Sequence, residues 1–383
     1  MKRKCRKGRL LMLALFFVWT ALQLRIWNLM TELADYEDFL SLSYPAGGIS
    51  DPAFGKWEKS EESKAAKTAA VWKPLGDLAV LAESTGRQET LACYQMKGQP
   101  EAVFGKGLSS GRYFTEGEQD VCLLDVETVQ KLFGSEDVLG LAVKVKGRRF
   151  HIAGILDENG PVCVIPAEEG AVFDGITIRR KESDQSVKMA VSYTEAVLGG
   201  TNGQVVDGKL YRVTAGTLYA GTSAGMVLAV GTAGRERRKK KEGGSSFLER
   251  RIVPACLLAG TLMLLAGIWA VNPGSDYLPP YWSDFEFFEK LLEEKTGQIR
   301  QFLAHQEFAS WQRLARSWRE AMALEIGNLA VAAAYCLGCR RRFSGTRKRS
   351  KREVTVAERK GKAYTLSIRS AEKRTKKNTR RIR

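Results

Sequence analysis

Two histidines, His151 and His305, are all the imidazole that 383 residues provide, which leaves little scope for His-based metal sites or catalytic triads. Cys336 and Cys339 form a Cys-x-x-Cys pair, but structural zinc needs two more ligands and the sequence holds no second pair. Apolar burial is the expected state of that pair, with acylation at a membrane edge as its reactive alternative. Cys122 and Cys163 sit in strand-like apolar runs and are expected in a core; a disulfide between them remains open. Residues 108–112 (LSSGR) loosely echo an ATPase signature and residues 121–125 (VCLLD) echo a Walker B strand. No G-x-x-x-x-G-K-S/T loop precedes them to cradle phosphates, and Val126 stands where a Glu would position water. Paired carboxylates and a Ser-His-Asp set are likewise missing, so the expectation is no enzyme and no cofactor.

The elements that would carry any function emerge from charge and hydropathy. The chain has 60 Lys+Arg against 43 Asp+Glu, a net charge of +17. The excess sits in three blocks: six basic residues in the first nine, eight against three acids in 235–251, and nineteen against three in 340–383. Each block abuts an apolar stretch, the footprint of cytoplasmic loops beside membrane spans. A hydrophobic content of 44% with 27% charged residues excludes a disordered chain.

Four spans are expected. The first, in residues 1–30, follows the basic start; it runs 10–24 without charge and continues to Met30 if Arg25 snorkels. The second, 213–234, is uncharged but weakly apolar, with five Gly and four Thr, and Gly221 with Gly225 makes a small-xxx-small pair. The third, 252–271, has no charge at all. The fourth, 321–339, contains Glu325 and Asn328; an acid inside a span is a functional candidate, although this one is expected near the outer interface. The amino terminus, the loop 235–251 and the tail 340–383 then lie inside. Residues 31–212 and 272–320 lie outside. Within 283–320, Phe285, Phe288, Leu292, Ile299, Phe302, Leu303, Trp311, Leu314 and Trp318 recur at helical spacing. That helix suits either the membrane interface or packing on the outer domain.

The fold class expected is an α+β extracytoplasmic domain inserted between transmembrane helices, with about four spans. Residues 121–125 read as a strand and 126–133 as a short helix stopped by Gly134. Residues 141–145 and 150–156 read as a hairpin turning at Gly147, with Val143 and Val145 on one face and Lys144 and Lys146 on the other. Further strands are expected at 162–165 and 175–178.

The ordered series GRYFTEGE (111–118), VCLLD (121–125), LFGSEDVLG (132–140) and VKVKGRRFHIAGIL (143–156) resembles the extracytoplasmic core domain of MacB-like ABC transporter permeases. The residues that carry the likeness are Gly111, Arg112, Phe114, Thr115, Leu132, Phe133, Gly134, Gly140, Gly147 and Gly154, and it covers about 103–157. The resemblance implies structural roles for these ten. It also implies a permease-like subunit that couples a separate ATPase to the outer domain, for export or transmission of motion, in a homo- or heterodimer. The loop bearing Arg235, Arg237, Arg238, Lys239, Lys240 and Lys241 is the expected ATPase contact or topology signal. The sequence departs from that family in its weak second and fourth spans, its short basic inner loop and its basic tail. The alternative is a membrane-anchored sensing or scaffold protein without transport. For the tail, membrane lipid is the favoured partner over nucleic acid, because it starts at a span.

Overall fold

The computed structural model describes residues 2–44, 48–104, 107–158, 160–181, 186–199, 203–239, 247–271, 275–277, 279, 281 and 285–338. A long helix, α1 (Lys2–Ala34), enters the sheet domain, which runs β1 (Phe39–Ser43), β2 (Ile49–Ser50), α2 (Asp51–Glu58), α3 (Glu61–Ala65), β3 (Ala66–Ala82), β4 (Gln88–Gly98), β5 (Leu108–Gly111) and β6 (Val121–Asp125). It continues with α4 (Val126–Phe133), β7 (Ala142–Val145), β8 (Arg148–Leu156), β9 (Val162–Pro166), β10 (Val172–Phe173), β11 (Gly175–Arg180), α5 (Val187–Leu198) and β12 (Gln204–Asp207). Helices α6 (Gly208–Lys239), α7 (Phe247–Ala270), α8 (Phe285–Ala304) and α9 (Ala309–Gly338) follow.

Among the described residues, four stretches are long and apolar enough to cross a membrane: Leu11–Ala34, Gly208–Thr232, Val253–Ala270 and Ala309–Gly338. The weakly apolar, Gly- and Thr-rich run is therefore helical throughout. Its threonines lose little by it, because Thr214 and Thr217 return their hydroxyls to carbonyls one turn back.

The main sheet has ten strands in the order β12-β1-β11-β3-β4-β9-β6-β8-β5, with β7 pairing both β3 and β8. Pairs β4/β9 and β6/β8 are parallel and the others antiparallel. Strand β3 serves two assemblies. Its first part pairs β11 and its last part pairs β7, and a register shift at Pro74/Gly76 separates them in its ladder with β4. The second part closes a ring of six strands, β3-β4-β9-β6-β8-β7.

Period-2 alternation sends neighbouring side chains to different cores. Cys93, Cys122, Leu124, Cys163, Ile165, Val143, Val145, Phe150 and Ile152 form one cluster with Val129 and Leu132 of α4. Tyr94, Leu123, Val162 and Val164, their neighbours in the same strands, belong to a second cluster with Trp72, Phe308 and Trp311. Helices α2 and α5 cover a third cluster through Phe54, Trp57 and Leu198, against Val71 and Ile176.

The hairpin, the short helix and the strands expected at 121–125, 162–165 and 175–178 are all present. The helix expected through 283–320 is two helices, broken at His305–Phe308. Phe302, Phe308, Trp311 and Leu314 are buried in the core beneath the sheet, so packing on the domain prevails over the membrane-interface alternative for that half.

Candidate functional site: the junction of helices and sheet

The ten motif residues form a scaffold around the ring of strands. Gly111 ends β5 at φ +83°, where a Cβ would stand 2.3 Å from the Ala153 carbonyl oxygen. Gly154 is equally constrained, since its Cβ would meet the Arg112 carbonyl oxygen at 2.5 Å. Only glycine permits this approach of β5 and β8. Arg112 then forks onto Glu118 at 2.5 and 2.8 Å, and the Thr115 N–H and hydroxyl donate to the same carboxylate. Those bonds, from Arg112 foremost, hold the exposed Glu118 carboxyl down at about 2. Phe114 is buried in the central core. Leu132 and Phe133 pack on the ring interior, and Gly134 caps α4 in the left-handed region. Gly140 and Gly147 have φ +81° and +79°, and Gly147 makes the hairpin turn with Lys146.

Asp125 explains the start of α4. Its carboxylate accepts from Thr128 N and from Val162 N, both at 2.9 Å, which caps the helix and ties β6 to β9. Cys122 and Cys163 are free thiols in the ring interior, and Cys93 on β4 is a third that sequence reasoning did not single out. The hydrogen bond with Cys163, then burial, pushes the Cys93 thiol far up, so Cys93 does not resemble a reactive thiolate. Among the described residues no group of three His, Cys, Asp or Glu is placed to hold a metal.

A network of charges lies where the helices meet the sheet. Asp38, in the turn between α1 and β1, accepts from Arg179 Nη1 and Lys67 Nζ, both at 2.9 Å. Burial pulls its carboxyl up, but these two hydrogen bonds outweigh that and hold it below the ordinary range. Arg179 also donates to the carbonyls of Asp35 and Ala102 and lies over the rings of Phe39 and Tyr36. Next to it on β11, Arg180 donates to the Glu37 carbonyl and stands 3.6 Å from Asp207. Asp207 accepts from Lys209 N and so begins α6. Its carboxyl is raised by burial, an effect that Arg180 and Lys295 oppose. Glu37 closes the circuit by pairing with Arg212 of α6.

The later helices are tied in at the same level. Asp276, in the turn after α7, takes the Ser186 hydroxyl at 2.5 Å and Val187 N at 2.6 Å, and thereby caps α5. Arg313 of α9 pairs with the buried Glu158 through two contacts of 2.8 Å. Trp318 of α9 donates to Thr214 of α6 at 3.0 Å, and Ser317 donates to Glu32 of α1 at 2.8 Å. Among the described residues, each of the four long apolar helices is thus bonded, directly or through one turn, to the sheet domain or to a helix that is. The network is invisible in sequence, because its members are far apart in the chain.

Arg235, Arg237, Arg238 and Lys239 fall in the last turns of α6. Lys240 and Lys241 lie outside the described residues, as do Cys339 and the tail.

These features define a class: a chain whose α+β domain stands between helices long and apolar enough to cross a membrane. Residues 63–198 match the family of MacB-like periplasmic core domains. Among solved structures, the chain is similar to the periplasmic region of MacB from Actinobacillus actinomycetemcomitans, with 15% identity, TM-score 0.39, and coverage of 45% of this chain and 89% of that one. It is also similar to the extracellular domain of the noncanonic ABC-type transporter YknZ from Gram-positive bacteria, with 15% identity, TM-score 0.36, and coverage of 44% and 97%. No curated protein matches the chain. The match to the MacB-like periplasmic core domain thus covers a longer stretch than the 103–157 motif series, and it lies between the first and second apolar helices.

Proposed function

We propose that the chain is the permease-like subunit of an ABC-type assembly, in which a separate ATPase on the inner side moves the helices and, through them, the outer sheet domain. The observation that carries this is the MacB-like core domain at 63–198, placed between the first and second apolar helices. The ion-pair network supports it physically. A tilt of α1, α6 or α9 is transmitted to the sheet through short bonds at Asp38, Asp207 and Arg313, not through a loose linker. In this reading residues 31–212 and 272–320 lie outside, while the 235–251 loop and the 340–383 tail lie inside, where anionic lipid is the tail's partner. The active unit is a dimer of such subunits.

The test has two arms, both on the full chain. Single Cys residues in 235–251, in 272–320 and in the tail of a Cys-free version are exposed to an impermeant thiol reagent in intact cells; only the middle site should label. The tagged chain should co-purify with a P-loop ATPase, whose hydrolysis changes when Arg237 and Arg238 are replaced by Glu. Correct topology with no ATPase would favour the alternative, an anchored sensing or scaffold domain.

A further inference from the structure

Glu325 of α9 is 0% exposed, as are Gln23 of α1 and Ser223 of α6, and Thr222 of α6 is 3% exposed. The Glu325 side chain is thus enclosed by protein. Glu325 Oε2 lies 3.1 Å from Thr222 Oγ1, the one hydrogen bond that reaches this carboxyl. Gln23 Nε2 donates to Thr222 Oγ1 at 2.9 Å and to Ser223 Oγ at 3.0 Å. Thr222 Oγ1 also lies 3.1 Å from the Tyr219 carbonyl oxygen, so its single hydrogen has two oxygens to serve. Two further acceptor oxygens in the cluster are buried without any partner, Gln23 Oε1 and Glu325 Oε1. One of these unpartnered oxygens belongs to an acid.

Among the described residues no basic side chain is paired with that acid. On α6 the sequence carries no charge from 213 to 234, on α7 none from 252 to 271, and on α9 Glu325 is the one charged residue from 321 to 338. The ionisable neighbour on α6 is Tyr219. The nearest ion pair along the helices, Arg25 with Glu320 at 2.7 Å, is self-contained and half-exposed. It sits five residues from Glu325, about 7.5 Å along α9. A buried carboxylate with one neutral hydrogen bond and no counter-charge costs several kcal/mol, more among helices that lipid surrounds.

We propose that Gln23, Thr222, Ser223 and Glu325 form a binding site for one monovalent cation, a proton or an alkali ion, inside the α1–α6–α9 helix cluster. A single acid calls for a single positive charge, which argues against a divalent metal. Occupancy supplies the missing donor or cation between Glu325 and its unpartnered neighbours. Release leaves a bare charge between three helices and so favours their separation. Cation occupancy and helix packing are therefore linked, whatever assembly the chain serves.

The test is infrared difference spectroscopy of the full chain in lipid bilayers, parent minus Glu325→Gln, at neutral pH in choline salt and then in sodium or potassium salt. A carboxylic-acid carbonyl band that is lost in the variant and moves in D2O identifies the proton. A Glu325 carboxylate band that shifts with sodium or potassium but not choline identifies an alkali ion. A Glu325 carboxylate band indifferent to all three salts overturns the proposal. If Glu325→Gln does not insert, Thr222→Val replaces it: the site predicts a shift of the same band, and an unmoved spectrum overturns it.

Discussion

Arg180 and Asp207 stand 3.6 Å apart with 2% and 1% of their side chains exposed, at the ends of two strands that both flank the junction with the helices. The pair fixes where β12 stops and α6 begins, because Asp207 also accepts the Lys209 N–H. Arg180→Met removes the larger of the positive charges that oppose burial of the Asp207 carboxylate, and full-chain unfolding in denaturant should show a loss of about 3 kcal/mol. Adding Asp207→Asn to that variant removes the uncompensated charge and should restore a large part of the loss. A double variant no better than the single one would mean that the pair has no shared energy.

Asp38 gives the junction a pH dependence of known sign. Its carboxyl is held below the ordinary range by Lys67 and Arg179 against the pull of burial. A carboxyl depressed in the folded state contributes stability that is present above the unfolded value, near 3.9, and fades as pH falls through the lower folded value. Parent stability should therefore decline below about pH 4. Asp38→Asn should be less stable at neutral pH and decline less steeply in acid. Unfolding curves collected across that range check both slopes.

The approach of β5 to β8 predicts a contrast between two glycines. At Gly111 a Cβ meets the Ala153 carbonyl oxygen at 2.3 Å as well as an unfavourable φ, whereas Gly117, at φ +88°, has open space around it. Gly117→Ala should cost about 1–2 kcal/mol for the backbone alone. Gly111→Ala should cost distinctly more, roughly 3 kcal/mol or above, because backbone must shift as well. Equal losses in thermal unfolding would show that the strand contact is dispensable.

The three ring-interior thiols should be inert while the fold is intact. Cys93, Cys122 and Cys163 are free and buried on the same core face. A small alkylating reagent should modify none of them in the native chain and all three after denaturant is added, as read by mass spectrometry. Modification of Cys163 at native rates would mean that the ring opens.

What was legible in sequence follows physical lines. The segment from β6 to β8 was legible because each piece is local: a left-handed stop at Gly134, a tight turn at Gly147 and strict alternation at Val143 and Val145. The cap at Asp125 came only with the structure. The helices were legible from charge blocks beside apolar runs. Strands β3 and β4 were not read at all. Lys73, Pro74, Gly76 and Asp77 interrupt β3, and the bulge that they produce is what lets one strand serve both the open sheet and the ring. The junction network was out of reach for another reason. Arg180 lies beside Asp207, and Arg313 beside Glu158, only after strands far apart in the chain have paired.

The break at His305–Phe308 separates two kinds of apolar residue that sequence periodicity had joined. Phe308 meets Trp72 edge-on at 5.0 Å, Tyr94 at 4.6 Å and Trp311 at 5.3 Å, and the Tyr94 hydroxyl donates to the Glu307 carbonyl at 2.5 Å. Phe288 and Leu292, one helix earlier, are 49% and 67% exposed. Phe308→Ala should cost about 3–5 kcal/mol, since it opens a cavity among the three rings of Trp72, Tyr94 and Trp311. Phe288→Ala and Leu292→Ala should stay within about 0.5 kcal/mol in detergent-solubilised full chain. If the first part of α8 lies on lipid, those two replacements weaken its membrane contact instead. Fluorescence quenching by brominated lipid of a Trp placed at Phe288 reads that contact directly. Strong quenching at Phe288, set against none at Trp311, would assign lipid to α8 and the sheet to the start of α9; equal quenching at both would mean that α9 leaves the sheet core in the bilayer.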